Sequence, residues 1–167
     1  WYFLTVDYAF GDSLERETSQ VVKAGGGQVL GGVRHPLSAS DFSSFLVQAK
    51  ASGAQVLGLA NGGGDTINAI KAASEFGITK SMKIAGLMLF ITDVHALGLK
   101  LTHGINLTEA WYWDSDEKSR QWAQRFQEKM KKMPTSMQAA SYSAALQYLI
   151  AVKAAGTDKS DAVMAQL

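Results

Sequence analysis

The stretch Gln55-Val-Leu-Gly-Leu-Ala60, followed directly by Asn61-Gly-Gly-Gly-Asp65, decides how the chain is expected to fold. Its first half is an apolar run that is too short for a helix, and it is typical of a buried strand in a parallel sheet. From Thr66 onward the apolar residues recur with a helical period, and Gly77 suits a left-handed helix end. The stretch therefore predicts a strand, a glycine-rich turn and a helix, in which Phe76 is expected to face inward.

The rest of the chain repeats this alternation. Strands are predicted at residues 1–6, 28–34, 55–60, 83–87 and 104–110, each followed by a helical pattern. Parallel strands need crossover connections, and these are right-handed. The sequence therefore predicts an α/β fold, a three-layer sandwich whose five-stranded parallel sheet has the order 2-1-3-4-5 and carries helices on both faces.

Helix boundaries are expected at particular polar residues. Asp12 or Ser13 is the predicted cap of the first helix, and Ser115 or Asp116 that of a polar helix near residue 120. A long alanine-rich helix is predicted over residues 136–155. Its large apolar side chains are expected to be buried, namely Tyr142, Leu146, Leu149 and Ile150.

Composition excludes several classes of function. The 167 residues are 47% hydrophobic and 19% charged, which fits one globular domain with its own core. A net charge of +1 disfavours a nucleic-acid or anionic membrane partner, because both need a sustained basic surface. The absence of cysteine excludes disulfides, thiolate metal sites and a cysteine nucleophile.

Catalytic patterns are also missing. His35, His95 and His103 are scattered without metal-ligand spacing, and no Gly-x-Ser-x-Gly elbow follows a strand. The turn at residues 61–65 lacks the spacing of a dinucleotide fingerprint and the Lys-Ser/Thr of a P-loop, and Asp65 would repel phosphate. We predict no catalytic residue, no metal, no cofactor and no enzymatic activity.

Apolar and polar side chains are expected instead where strands one, three and four end. In open parallel sheets, ligands bind just beyond the carboxyl ends of the strands, and rings with a few polar groups suit a small organic ligand. Burial of Phe10, Leu89 or Phe90 in the helix–sheet core is the alternative at those positions. The candidate ligand-binding residues are Tyr8, Phe10, Asn61, Gly62, Gly63, Asp65, Met88, Leu89 and Phe90.

Seven short motifs, in order along nearly the whole chain, resemble the type I periplasmic solute-binding proteins of branched-chain amino-acid-type ABC importers. Each motif alone is weak, but their order and spacing together are specific. They are Asp7-Tyr-Ala-Phe-Gly11, Ser40-Asp-Phe-Ser43, Asn61-Gly-Gly63, Thr108-Glu-Ala-Trp-Tyr-Trp113, Pro134-Thr135, Ala139-Ala-Ser-Tyr142 and Ala154-Ala-Gly-Thr-Asp158.

The resemblance implies a two-lobed protein that traps a solute in the cleft between its lobes and delivers it to an ABC permease in the membrane. It implies that residues 1–167 form one lobe, the second, and that the first lobe and the final crossover are absent. It implies a periplasmic protein, and the chain opens inside a strand without an export signal, so we expect a fragment. The implied contacts are Phe10 with Tyr8, the turn at Asn61, Gly62 and Gly63, and the loop from Met88 to Phe90.

One departure from the family pattern bears on the ligand. Amino-acid-binding relatives commonly place a carboxylate after strand four, whereas this chain has Leu87-Met-Leu-Phe90 and no acid before Asp93. Burying an unpaired ammonium costs several kcal/mol, so the pattern favours an apolar or aromatic carboxylate over a free amino acid. Asp65 remains an alternative partner for an ammonium.

A ligand-sensing domain of a receptor or transcription regulator is the main competing function, and an α/β enzyme is a third.

Overall fold

A computed structural model describes all 167 residues of the chain. Five parallel strands pair in the order β2-β1-β3-β4-β5, which confirms the predicted sheet. The last strand is much shorter than expected, because only two of its residues pair with Ala85 and Gly86. The strands are β1 (Tyr2–Val6), β2 (Gly31–His35), β3 (Val56–Ala60), β4 (Lys83–Gly86) and β5 (Asn106–Leu107).

Eight helices connect or follow these strands, and a 3-10 turn lies at Ile78–Lys80. The helices are α1 (Ala9–Ala24), α2 (Ser43–Ala51), α3 (Gly63–Glu75), α4 (Ile91–Leu97), α5 (Leu99–Thr102), α6 (Glu117–Met130), α7 (Ser136–Ala155) and α8 (Ser160–Met164). The chain divides into two compact units, Trp1–Thr108 and Glu109–Leu167. The first holds the sheet with α1 to α5, and the second holds α6 to α8. That residues 1–167 form a single lobe stays a prediction.

Two helices begin earlier than their sequence signals indicate. α1 begins at Ala9, so Asp12 lies in its first turn rather than at its cap. α3 begins at Gly63 rather than at Thr66. In both cases only two residues separate the strand end from the helix, which brings the helix N-terminus close to the edge of the sheet. The predicted cap of α6 is confirmed, since the side chain of Asp116 accepts a hydrogen bond from Ser119 N at 2.8 Å.

The main core of the first unit lies between one face of the sheet and helices α2 and α3. Leu4 and Leu59 of the sheet pack there with Phe42, Leu46 and Ile70, all of them buried. Strand side chains alternate between faces, so Thr5 points away from this core. The prediction that Phe76 faces inward is wrong: it is 41% exposed, because α3 ends at Glu75 and Phe76 lies past the packed stripe.

α1 covers the other face of the sheet. The hydroxyl of Thr5 donates a hydrogen bond of 2.6 Å to Glu15 of α1. Gly11 permits this close packing, since a Cβ there would lie 2.1 Å from the carbonyl oxygen of Val6. A side chain at position 11 would therefore push α1 away from β1.

α7 spans the residues predicted for it, but its expected burial is wrong. Leu149 is 61% exposed, and Tyr142, Leu146 and Ile150 are also exposed. The helical pattern depends only on local spacing, whereas burial requires another layer to pack against the helix. The ring of Tyr142 packs against that of Trp122 in α6, with centroids 5.2 Å apart, whereas the other three side chains extend from α7 without a covering layer.

Candidate functional site

Three loops that carry the predicted ligand-binding residues leave the sheet at one edge. Thr5 pairs with Ala60 and Leu59 pairs with Gly86, so the carboxyl ends of β1, β3 and β4 lie side by side. Each of these strands leads within a few residues into the N-terminus of a helix, α1, α3 or α4. This is the edge at which open α/β sheets bind ligands.

Gly62 lies where the three loops meet. A methyl group placed on it would lie 3.5 Å from Cγ of Met88 and 3.8 Å from Cε1 of Phe10. The ring of Phe10 stacks on that of Tyr8, with centroids 5.8 Å apart and planes at 26°. Tyr8 is exposed, while Phe10 and Met88 are half-buried. The structure thus brings Tyr8, Phe10, Gly62 and Met88 together as one partly exposed apolar surface, which we call the aromatic edge.

The first turn of α3 adds backbone donors near this surface. Gly63 and Gly64 are exposed, and no atom lies within 4 Å of a Cβ built on either residue. The N–H groups of a first helical turn have no partner within the helix and can donate to a bound group. The negative charge of Asp65 lies in the same turn and offsets the positive end of the helix dipole. The turn therefore offers hydrogen bonds without a strong positive field.

The side chain of Asn61 is fully buried and hydrogen-bonded within the protein. Its amide nitrogen lies 3.0 Å from Nε2 of His35, and its oxygen accepts a bond of 2.7 Å from the hydroxyl of Thr66. Nδ1 of His35 lies 2.9 Å from the carbonyl oxygen of Pro36, which only accepts. Nδ1 therefore carries the proton and Nε2 accepts from Asn61. Asn61 holds the turn in place rather than presenting its amide to a ligand.

Asp65 is also directed into the protein. Its carboxylate accepts a hydrogen bond of 3.0 Å from the backbone N–H of Ser38, and its residue is 6% exposed. Ser38 has a φ of 60° in the loop after β2, so the bond supports a backbone conformation that is uncommon for a side-chain-bearing residue. Asp65 ties this loop to α3, which is a sufficient structural reason for a carboxylate at this position.

The loop after β4 divides between core and surface. Leu89 is 1% exposed and belongs to the hydrophobic core, so the core alternative describes its side chain. Met88 and Phe90 are half-buried. Asp93, the first acid after β4, accepts a hydrogen bond of 2.9 Å from the backbone N–H of Phe90 and so stabilises the start of α4. This loop therefore presents apolar side chains, and its nearest carboxylate is already engaged.

Sequence reasoning missed the roles of His35 and Thr66. The sequence assigned His35 no metal-binding or catalytic role, but it did not indicate the buried contact with Asn61. The available signal was topological, because His35 ends β2 and pairs with Val6 of β1, the strand between β2 and β3. Residues that end neighbouring parallel strands meet at the same edge of the sheet.

The chain contains no group of three or more His, Cys, Asp or Glu residues placed to hold a metal ion. None of its helices is both long and apolar enough to cross a bilayer.

The whole chain, residues 1–167, matches a family model described as periplasmic binding protein. The chain belongs to this family, whose members bind solutes and are not enzymes. A search of curated protein sequences gave no match.

Solved structures of family members agree with the fold. A periplasmic binding protein from Burkholderia mallei is 69% identical with a TM-score of 0.94. A branched chain amino acid ABC transporter periplasmic ligand-binding protein from Burkholderia xenovorans LB400 is 45% identical with a TM-score of 0.87. An amino acid ABC transporter substrate-binding protein from Pseudomonas fluorescens Pf-5 is 28% identical with a TM-score of 0.90. They cover 100%, 100% and 99% of this chain, which in turn spans only 44%, 45% and 44% of theirs.

Proposed function

We propose that this chain is part of a solute-binding protein that captures a small organic carboxylate in the periplasm and presents it to an ABC permease. Membership of the family supports the class of function, and the short span of the chain relative to its solved relatives supports a protein with a further lobe. The ligand then lies between the lobes, and its binding favours a closed form that the permease recognises.

The aromatic edge carries the proposal for the ligand. Tyr8, Phe10 and Met88 offer apolar area to a ring, and burial of a ring contributes a few kcal/mol at about 25 cal/mol per Å². Asp65 and Asp93 both accept backbone hydrogen bonds, so neither is a ready partner for an ammonium group. We therefore assign an apolar, aromatic carboxylate as the ligand, with its ring on this edge and its charge held by the other lobe.

A thermal-shift screen of the longer protein tests this assignment. The panel contains aromatic acids, aliphatic acids and free amino acids, because a ligand that binds only the native state raises the melting temperature. Leucine, isoleucine and valine belong in the panel, since the relative from Burkholderia xenovorans is named for branched-chain amino acids. An aromatic acid should give the largest shift.

Three variants then locate the ligand. Phe10→Ala should weaken binding of the best aromatic acid by at least about tenfold, the equivalent of about 1.4 kcal/mol. Asp65→Asn should change affinity little, because an amide oxygen can still accept from Ser38. Phe76→Ala is the matched control, since Phe76 follows the opposite end of α3. If a free amino acid binds most tightly and Asp65→Asn abolishes that binding, Asp65 holds the ammonium and the aromatic-acid assignment is wrong.

A further inference from the structure

Asn61 and Gly62 form the only Asn-Gly dipeptide in the chain. This dipeptide is chemically labile, because the backbone nitrogen of the glycine can attack the side-chain carbonyl carbon of the asparagine. Glycine has no Cβ and so does not hinder the approach. The chain has two other asparagines, Asn68 and Asn106, and each is followed by a residue with a side chain. The turn after β3 therefore holds the pair of residues most prone to this reaction.

The two reacting groups of this dipeptide are held differently. Gly62 is partly exposed, and its backbone N–H makes no hydrogen bond within the protein. The side chain of Asn61 is fully buried, and its amide group lies between Nε2 of His35 at 3.0 Å and the hydroxyl of Thr66 at 2.7 Å. A tetrahedral carbon cannot keep the planar amide geometry that satisfies both partners. The attacking nitrogen is thus free, whereas the carbon that it would attack is fixed.

We propose that Asn61-Gly62 is a latent deamidation site, which the hydrogen bonds of Asn61 to His35 and Thr66 protect in the folded protein. When the turn opens locally, the nitrogen of Gly62 forms a bond to Cγ of Asn61 and gives its proton to solvent. The side-chain nitrogen of Asn61 leaves as ammonia, and a cyclic succinimide remains. One water molecule then adds to either succinimide carbonyl and opens the ring to aspartate or isoaspartate. The net reaction is the hydrolysis of one amide, and water is its only co-reactant.

Neither product fits the turn as asparagine does. Aspartate has no N–H to donate to Nε2 of His35, so it keeps that contact only if the imidazole takes up a proton and a charged pair is buried. Isoaspartate adds a backbone carbon directly after β3, because the chain then runs through the former side chain. Since the amide does not re-form, each event permanently alters the turn that places Gly62 in the aromatic edge.

Peptide mapping by mass spectrometry tests the proposal without any solute. Trypsin releases residues 51–71, which contain both Asn61 and Asn68, and fragmentation of this peptide separates the two positions. During incubation at mildly alkaline pH, Asn61 should be lost at least about tenfold more slowly in the folded protein than in denaturing urea. Asn68 is the internal reference, since it is exposed in the folded protein and is followed by alanine. Equal loss of Asn61 in the folded and unfolded protein would overturn the proposal.

Thr66→Val tests the protecting hydrogen bond directly. It removes the donor to the side-chain oxygen of Asn61 and should speed the loss of Asn61 at least about fivefold, because the turn then opens more easily. Thr79→Val, at an exposed position, is the matched control and should leave the rate unchanged. An unchanged rate in Thr66→Val would also overturn the proposal.

Gly62→Ala separates the covalent reaction from a general loss of stability. A Cβ on Gly62 would lie 3.5 Å from Cγ of Met88, an ordinary contact, so the fold should be kept. The added methyl group hinders the attacking nitrogen, and Gly62→Ala combined with Thr66→Val should return the rate to that of the parent or below. A fast loss of Asn61 that persists in the double variant would show that the reaction does not pass through the succinimide, and the proposal would be wrong. Failure to bind any solute would count against the proposed function and leave these results standing.

Discussion

The hydrogen-bonded chain of His35, Asn61 and Thr66 is the most constrained group of side chains at the candidate site. All three residues are buried, and each polar side-chain atom of this hydrogen-bonded group has a partner. A buried polar group that loses its partner costs its full desolvation, which exceeds the net gain of an ordinary hydrogen bond. These three hydrogen-bonded side chains therefore fix the turn that contains Gly62, and with it the shape of the aromatic edge.

Thr66→Val tests this constraint with almost no change in volume. The substitution removes the donor to the side-chain oxygen of Asn61 and leaves that oxygen buried without a partner. We expect the free energy of unfolding to fall by about 1–3 kcal/mol, measured by urea denaturation with an unchanged m-value. Thr79→Val, at an exposed position in the 3-10 turn, should stay within about 0.5 kcal/mol of the parent. Equal effects of the two substitutions would show that the buried bond contributes nothing.

Among the secondary-structure elements, α3 begins with two glycines that differ in their backbone demands. Gly63 has a φ of 57°, in the left-handed region, whereas Gly64 lies in the helix without a positive φ. A Cβ on either residue would meet no atom within 4 Å, so packing does not distinguish them. The difference between the two positions is therefore one of backbone conformation alone.

Paired alanine substitutions measure that difference. Gly63→Ala should destabilise the protein by about 1–2 kcal/mol, because a Cβ is strained in the left-handed conformation. Gly64→Ala should stabilise it by about 0.5–1 kcal/mol, because alanine loses less conformational freedom in a helix. Thermal denaturation of both variants checks the signs. Two variants that shift in the same direction would contradict the assignment of the first turn.

The N-terminus of α6 is expected to respond to pH. The pKa of Asp116 lies below its ordinary value of 3.8, chiefly because its carboxylate accepts a hydrogen bond from the backbone N–H of Ser119. A carboxylic acid whose pKa is lowered by folding stabilises the folded state at pH values above its ordinary pKa. That stability is lost as the pH falls through the lowered pKa. The start of α6 should therefore loosen in acid, as the pH falls below the ordinary value of 3.8.

Asp116→Asn provides the comparison, because asparagine can cap the helix without titrating. The amide shift of Ser119, followed by NMR as the pH is lowered, should move in the parent and stay nearly constant in Asp116→Asn. Glu117→Gln is the control, since the pKa of Glu117 is also lowered, chiefly by a hydrogen bond from the side chain of Gln121. A titration that persists in Asp116→Asn and disappears in Glu117→Gln would assign the response to Glu117 instead.

For the molecule as a whole, the aromatic edge is an open surface at one side of a sheet rather than an enclosed pocket. Tyr8 is 46% exposed and Gly63 and Gly64 face open space. Small-molecule sites usually bury most of the ligand, so this edge supplies only part of the contacts that a solute needs. A lobe that closes over the edge would supply the remainder.

The 167-residue chain should therefore bind the solute at least about tenfold more weakly than the longer protein, a loss of about 1.4 kcal/mol or more. Isothermal titration calorimetry with the best ligand of the screen measures both affinities. Phe10→Ala serves as the reference in each protein, since it removes the same ring from both. Equal affinity of the two proteins would contradict the two-lobed argument, because the edge would then be a complete site.

The sequence by itself determined the sheet, its strand order and the edge at which the candidate residues gather. The parallel sheet and the edge follow from local periodicity and from the right-handed crossover, whereas the order 2-1-3-4-5 is one of two orders that are common in doubly wound sheets. The tertiary structure alone decided which candidates face outward. Asn61 and Asp65 turn inward because their partners, His35 and Ser38, lie 26 and 27 residues away along the chain, and nothing in the spacing of the turn indicates those contacts. Likewise, the pattern of α7 specified an apolar helix, but burial depends on the layer that packs against it, which local spacing does not encode.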